Sequence, residues 1–153
     1  MQYERYLDSY KATLIGASIT SVEEPVTCYA PELAAHSFES VTLRHLLQMT
    51  SGLRFNEHPI ILLGQTASFC YGTSLRQQIT KLRLEHPPGT HFHYASGSTQ
   101  LLSLALEGAL NGPTLTEFLQ ETVWTPLQIK YPASWTVDWS KPPLEKTFCC
   151  LNG

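Results

Sequence analysis

The chain has 153 residues, 42% of them hydrophobic, enough to bury one core and therefore expected to form a single domain. Its 13 acidic residues against 10 basic ones give a formal charge of −3, and no Lys/Arg stripe interleaves with aromatics, which argues against nucleic acid as a partner. No apolar run reaches membrane-spanning length, and the opening Met-Gln-Tyr-Glu-Arg-Tyr has no signal-peptide core, so no membrane contact is expected and a cytoplasmic location is the default.

In chain order the pattern predicts mainly helix with little strand. Residues 4–19 place Tyr6, Leu7, Tyr10, Leu14 and Ile15 near one helical stripe. Pro25 ends any continuation, and a loop runs through Pro31. Ser40 or Thr42 can cap a helix that continues through Met49, with Gly52 as its stop. The chain then turns around Pro59, and residues 61–63 lead into a Gly/Ser-bearing stretch up to Ser74. Residues 75–84 can be helical. After Ser96, Leu101, Leu102, Ala105, Leu106 and Ala109 recur at helical spacing until Asn111-Gly112, just before Pro113. Thr114 or Thr116 can start the next helix, with Phe118, Leu119 and Val123 inward as far as Pro126. Beyond Tyr131 the Trp/Pro-rich tail reads as irregular or as a short strand.

The segment 87–106 carries the chemistry most open to interpretation. A Pro-Gly turn delivers a short aromatic run to Tyr94, and a Ser/Gly cluster then opens the apolar helix. A tyrosine displayed just before a helix, with Ser96 two positions on, can donate or accept a hydroxyl proton in a cleft; a structural tyrosine at a helix start fits the same residues. His91 and His93 share one face of an extended segment, with His86 nearby. No carboxylate cluster accompanies them, so a metal is not expected. Cys28, Cys70, Cys149 and Cys150 show no Cys-x-x-Cys spacing, and the adjacent pair is poorly placed to bridge to itself, so free thiols are expected.

Pro88-Gly89-Thr90 followed by Tyr94-Ala95-Ser96 resembles the second signature of the serine β-lactamase and penicillin-binding-protein superfamily, a Tyr-x-Asn or Tyr-x-Ser before a helix. The run Val41-Thr42-Leu43-Arg44-His45-Leu46-Leu47-Gln48-Met49-Thr50-Ser51-Gly52-Leu53 is similar to a helix and turn of the same superfamily. So is Ser21-Val22-Glu23-Glu24-Pro25-Val26 with Tyr29-Ala30-Pro31-Glu32-Leu33. Downstream, Trp135-Thr136-Val137-Asp138 and Phe148-Cys149-Cys150-Leu151-Asn152 resemble the branch of esterases and 6-aminohexanoate-oligomer (nylon-oligomer) hydrolases. The blocks stand in the superfamily's order and cover most of the chain.

That resemblance implies a β-lactamase-like α/β (α+β) fold of which this chain supplies the helical portion, with the sheet largely missing. It also implies hydrolysis of an ester or amide through an acyl-enzyme, with Tyr94 and Ser96 at catalytic positions and no cofactor. The sequence departs from the pattern at its centre. Aligned on Leu14-Ile15-Gly16, Arg5 falls where the superfamily has its nucleophilic serine and Asp8 where it has its lysine. Ser9 with Lys11 is the nearest substitute pair, but two positions apart on a helix they point to different sides. The triplet Lys146-Thr147-Phe148 lacks the glycine of the superfamily's Lys/His-Ser/Thr-Gly strand. Residues 1–153 are therefore expected to be one partial domain, truncated at both ends. Two readings follow: a hydrolase by descent that is catalytically incomplete alone, taking small-molecule esters or linear amides if active, or a non-catalytic fragment that self-associates or pairs with a complementary polypeptide.

Overall fold

Thr42 starts a helix by a reciprocal cap. Its side-chain oxygen accepts the His45 N–H at 3.2 Å, and His45 Nδ1 accepts the Thr42 N–H at 3.3 Å, so donors that a helix start leaves open are satisfied locally. These details come from a computed structural model, which describes residues 19–57, 65–134 and 136–139. The helix so capped, α1, covers Leu43–Leu47. It stops before the expected Met49 because that residue itself turns left-handed, at φ 56°. Gly52 (φ 75°) is not the stop but a close-approach point: an added Cβ would sit 2.1 Å from the His86 carbonyl oxygen. Its own carbonyl accepts the Glu85 N–H at 2.8 Å.

The second helix, α2 (Gln65–Tyr71), lies in the stretch that the sequence left without an element. Next, α3 (Leu75–Ile79) starts on Ser74, whose side chain accepts the Gln77 N–H, and on Asp138, whose Oδ2 accepts the Leu75 N–H at 2.7 Å. It ends earlier than the expected residue 84, since that end of the segment pairs elsewhere. Arg54 N–H donates to the Arg83 carbonyl at 2.9 Å, and Leu53 and Leu84 form an antiparallel bridge. The long helix α4 (Ser96–Ala109) ends where Asn111 (φ 44°) and Gly112 (φ 145°) leave right-handed space. Thr114 and Glu117 form a second reciprocal cap on α5 (Leu115–Leu119), which runs on as a π-helical turn, Gln120–Trp124. Short 3-10 turns, Val26–Cys28 and Pro31–His36, precede α1.

The core forms around α4. Its Leu101, Leu104, Ala105 and Ala109 meet Leu43 and Leu46 of α1 and the fully buried Val26, Leu33, Phe38 and Val41 from the region of the 3-10 turns. Each such large side chain contributes about 2 kcal/mol relative to exposure. Arg76 of α3 ties two layers together, with its guanidinium 2.9 Å from Glu32 Oε1 and 3.0 Å from Glu107 Oε2 on α4. Among the described residues there is no sheet; strand-like pairing consists of isolated bridges such as Pro25–Thr42 and Leu53–Leu84. The mainly helical expectation is met, and the tail at 136–139 is irregular, pinned by the Trp139 N–H to the Thr73 carbonyl at 3.0 Å. Most of the predicted helix at 4–19 lies outside the described residues.

Candidate functional site

The first turn of α4 assembles the candidate site. Residue 95 occupies the cap position as alanine, which has no side-chain oxygen to offer the helix amides. Instead the carboxylate of Glu57, 39 residues away, accepts the Ser96 N–H. Phe55, two residues before Glu57, faces the same corner. An added Cβ at Gly97 would lie 2.8 Å from its ring, so only glycine there lets the ring reach the helix backbone. That ring stands edge-on to Phe69, with centroids 5.4 Å apart at 89°. The Phe55 carbonyl lies 3.0 Å from His93 Nε2. Beneath the turn, Ser51 and Ser98 share a buried hydroxyl–hydroxyl bond of 2.8 Å.

Tyr94 projects from this corner with 59% of its surface exposed, whereas Ser96 is buried. The phenol is thus a hydroxyl donor and acceptor open to a ligand, and Ser96 sits in the wall behind it. The structure brings Glu57, Ser51, Ser98 and His93 to the same place; the sequence reading weighed His93 only as a metal ligand and the other three not at all. Ser51 had a signal, since it lies in the Thr50-Ser51-Gly52-Leu53 block; Glu57, acting across 39 positions, had none. Ser9 and Lys11 lie outside the described residues, as do Arg5 and Asp8.

The other candidates fall into separate settings. The His86 and His91 rings lie against each other, with centroids 4.7 Å apart, while His91 Nδ1 is 2.8 Å from Thr90 Oγ1 and His93 turns to Phe55. Among the described residues no group of three or more His, Cys, Asp or Glu side chains could hold a metal ion. Cys28 is a free, exposed thiol. Tyr29 donates to Glu24; burial, and then this bond, raise its phenol above the usual range, and the same bond holds the Glu24 carboxyl below its own. A cleft of about 570 Å³ opens between α5, the π-helical turn, residues 129–134 and Val137, with Leu119, Trp124, Ile129 and Tyr131 in its walls. It shares no residue with the Tyr94 corner. No helix among the described residues is long and apolar enough to cross a membrane.

The β-lactamase family model matches residues 14–143, a span that includes Tyr94 and Ser96 and starts after Ser9 and Lys11. No curated protein matches the sequence. Among solved structures, the "Putative 6-aminohexanoate-dimer hydrolase from Bacillus anthracis" is similar with a TM-score of 0.69 and 22% identity over 82% of this chain. A "putative beta-lactamase" from Bacteroides dorei is similar with a TM-score of 0.59 and 24% identity over 78% of this chain. The chain spans 36% of the length of each. At these identities the likeness is one of fold. Because the family model covers every described element, the chain belongs to the β-lactamase family.

Proposed function

We propose that this chain is the helical, tyrosine-bearing part of a β-lactamase-related serine hydrolase that cleaves ester or linear amide bonds through an acyl-enzyme, and that it is catalytically incomplete by itself. The observation that carries the reading is the exposed Tyr94 side chain just before α4, within the family match. In such a reaction a serine hydroxyl gives up its proton as its oxygen bonds to the carbonyl carbon, the single bond from that carbon to the leaving oxygen or nitrogen breaks as the leaving group takes a proton, and water then releases the acyl group. In this reading Tyr94 passes that proton and Ser96 supports the wall of the site. The linear-amide half of that substrate class agrees with the substrate in the name of the Bacillus anthracis protein.

Incompleteness rests on the positions where the family resemblance puts the nucleophile and its base, which hold Arg5 and Asp8. A guanidinium is no nucleophile, and it keeps its proton. Losing the serine from an unrelated serine hydrolase removes on the order of 10⁶ in turnover, more than a tyrosine alone restores. The test is Arg5→Ser combined with Asp8→Lys, which rebuilds Ser-x-x-Lys. Ester turnover by that variant is expected to stay at background, because this sequence carries no Lys/His-Ser/Thr-Gly strand to complete the oxyanion site. Turnover above background would overturn the incompleteness.

A second reading, a non-catalytic half-domain, draws on a different observation. Tyr71, Phe92, Tyr131 and Trp139 are 74–85% exposed, unusually open for aromatic side chains and suited to a complementary polypeptide or to self-association. Sedimentation velocity separates the cases, since a concentration-independent monomer contradicts self-association.

A further inference from the structure

The helices α1, α3 and α5 each begin on a hydroxyl side chain that accepts an amide of its own first turn. The longest one among the described residues, α4, begins on Ala95 and makes no such bond. Its first amide is taken instead by Glu57, from the loop after α1. We infer that Glu57 is a positioning residue for Tyr94: its carboxylate caps α4 from a distance and so fixes the Tyr94-Ala95-Ser96 corner.

The loop grips that corner on both sides of Tyr94. On one side the Phe55 carbonyl meets His93 Nε2 at 3.0 Å; on the other the Phe55 ring lies against Gly97 and the Glu57 carboxylate holds the Ser96 N–H. Tyr94 is the exposed side chain between the two holds. A carboxylate at a helix N-terminus is favoured by the helix dipole, and a charge-assisted bond to N–H is shorter and stronger than a neutral one. With its oxygen engaged on the backbone, Glu57 acts through the helix start and does not need to touch substrate. Loss of the cap lets the first turn fray, and the Cα–Cβ direction of Tyr94 loses its reference.

The inference rests on the reading of Tyr94 as the residue presented to substrate, and its test uses no turnover. In the isotope-labelled chain, water-exchange NMR follows the amides of Ser96, Gly97 and Leu104 while the Tyr94 ring resonances are recorded. Glu57→Ala is expected to speed Ser96 exchange about fivefold or more, leave Leu104 in mid-helix unchanged, and move the Tyr94 ring signals. Glu57→Gln keeps a carbonyl oxygen and is expected to restore most of the protection. Glu57→Asp, one methylene shorter, is a milder variant expected to follow the alanine pattern should that variant not fold. Uniform acceleration along α4, unchanged Ser96 exchange, or unmoved Tyr94 resonances would overturn the inference. Those outcomes leave the hydrolase reading standing, because that reading is judged by turnover and active-site labelling alone.

Discussion

Gly108→Ala sets two effects of opposite sign against each other. In a solvated helix the change stabilises by up to about 1 kcal/mol, since glycine loses more backbone freedom on folding. Here the helix passes the turn after Val26–Cys28 so closely that an added Cβ would lie 1.9 Å from the Tyr29 carbonyl oxygen and 3.0 Å from its carbon. Ordinary contact begins near 3.4 Å, so one partner must retreat by more than an ångström. The turn is fastened on both sides. The Tyr29 and Ala30 amides donate to the Val26 carbonyl at 3.2 and 3.0 Å, and the Tyr29 hydroxyl holds Glu24. Overpacking of this kind costs about 1–3 kcal/mol. The clash therefore exceeds the gain in propensity, and the net loss is about 1 kcal/mol, or roughly 2–4 °C in Tm for a chain of this size. Thermal unfolding followed by circular dichroism measures it. A Tm equal to or above that of the parent would refute the argument and show that α4 is not pinned against the turn.

The buried Ser51–Ser98 pair predicts a non-additive cycle: each single alanine variant strands the other hydroxyl at a cost of about 1–3 kcal/mol, and the double variant loses less than the sum. Additive losses in denaturant melts would count against the bond. Thr42→Ala removes one half of the α1 cap and should cost about 1 kcal/mol, with Thr42→Ser recovering most of it; equal losses in both variants would contradict the capping account. Backbone and side-chain hydrogen bonds from Thr114 lower the Glu117 pKa below its ordinary 4.5. A depressed carboxylate stabilises the fold fully above that ordinary value and loses its contribution as pH falls through the lowered one. The Tm advantage of the parent over Glu117→Gln should therefore shrink on acidification below pH 4.5, whereas a difference independent of pH would contradict the linkage.

What the sequence made legible was local. Thr42 and Thr114, each one of two candidate caps beside Ser40 and Thr116, are the residues that start their helices, the capping oxygen lying within a turn of the amide it serves, and Asn111-Gly112 marked the end of α4 by its tolerance of left-handed backbone. The misses have long-range causes. Residues 80–84 look helical in isolation, but Leu84 is drawn into a bridge with Leu53, more than thirty positions away. Met49, an unremarkable residue for a helix interior, takes the left-handed position while its carbonyl accepts the His93 N–H at 2.8 Å. The helix at Gln65–Tyr71 carries few strong apolar repeats and owes its place in the core to Phe69 against Phe55. In the candidate site, Tyr94 and Ser96 stood out through their turn and their family likeness. Glu57 could not, because its partner is a backbone amide and no residue type records such a contact.

The central claim, that this β-lactamase-family chain has no activated serine of its own, is tested most directly by a fluorophosphonate probe. The purified chain, helical by circular dichroism, is treated with the probe and weighed intact. The account predicts an unmodified mass. A stoichiometric adduct, mapped to Ser9, Ser51, Ser96 or Ser98, would contradict it and make the chain an enzyme despite Arg5 and Asp8.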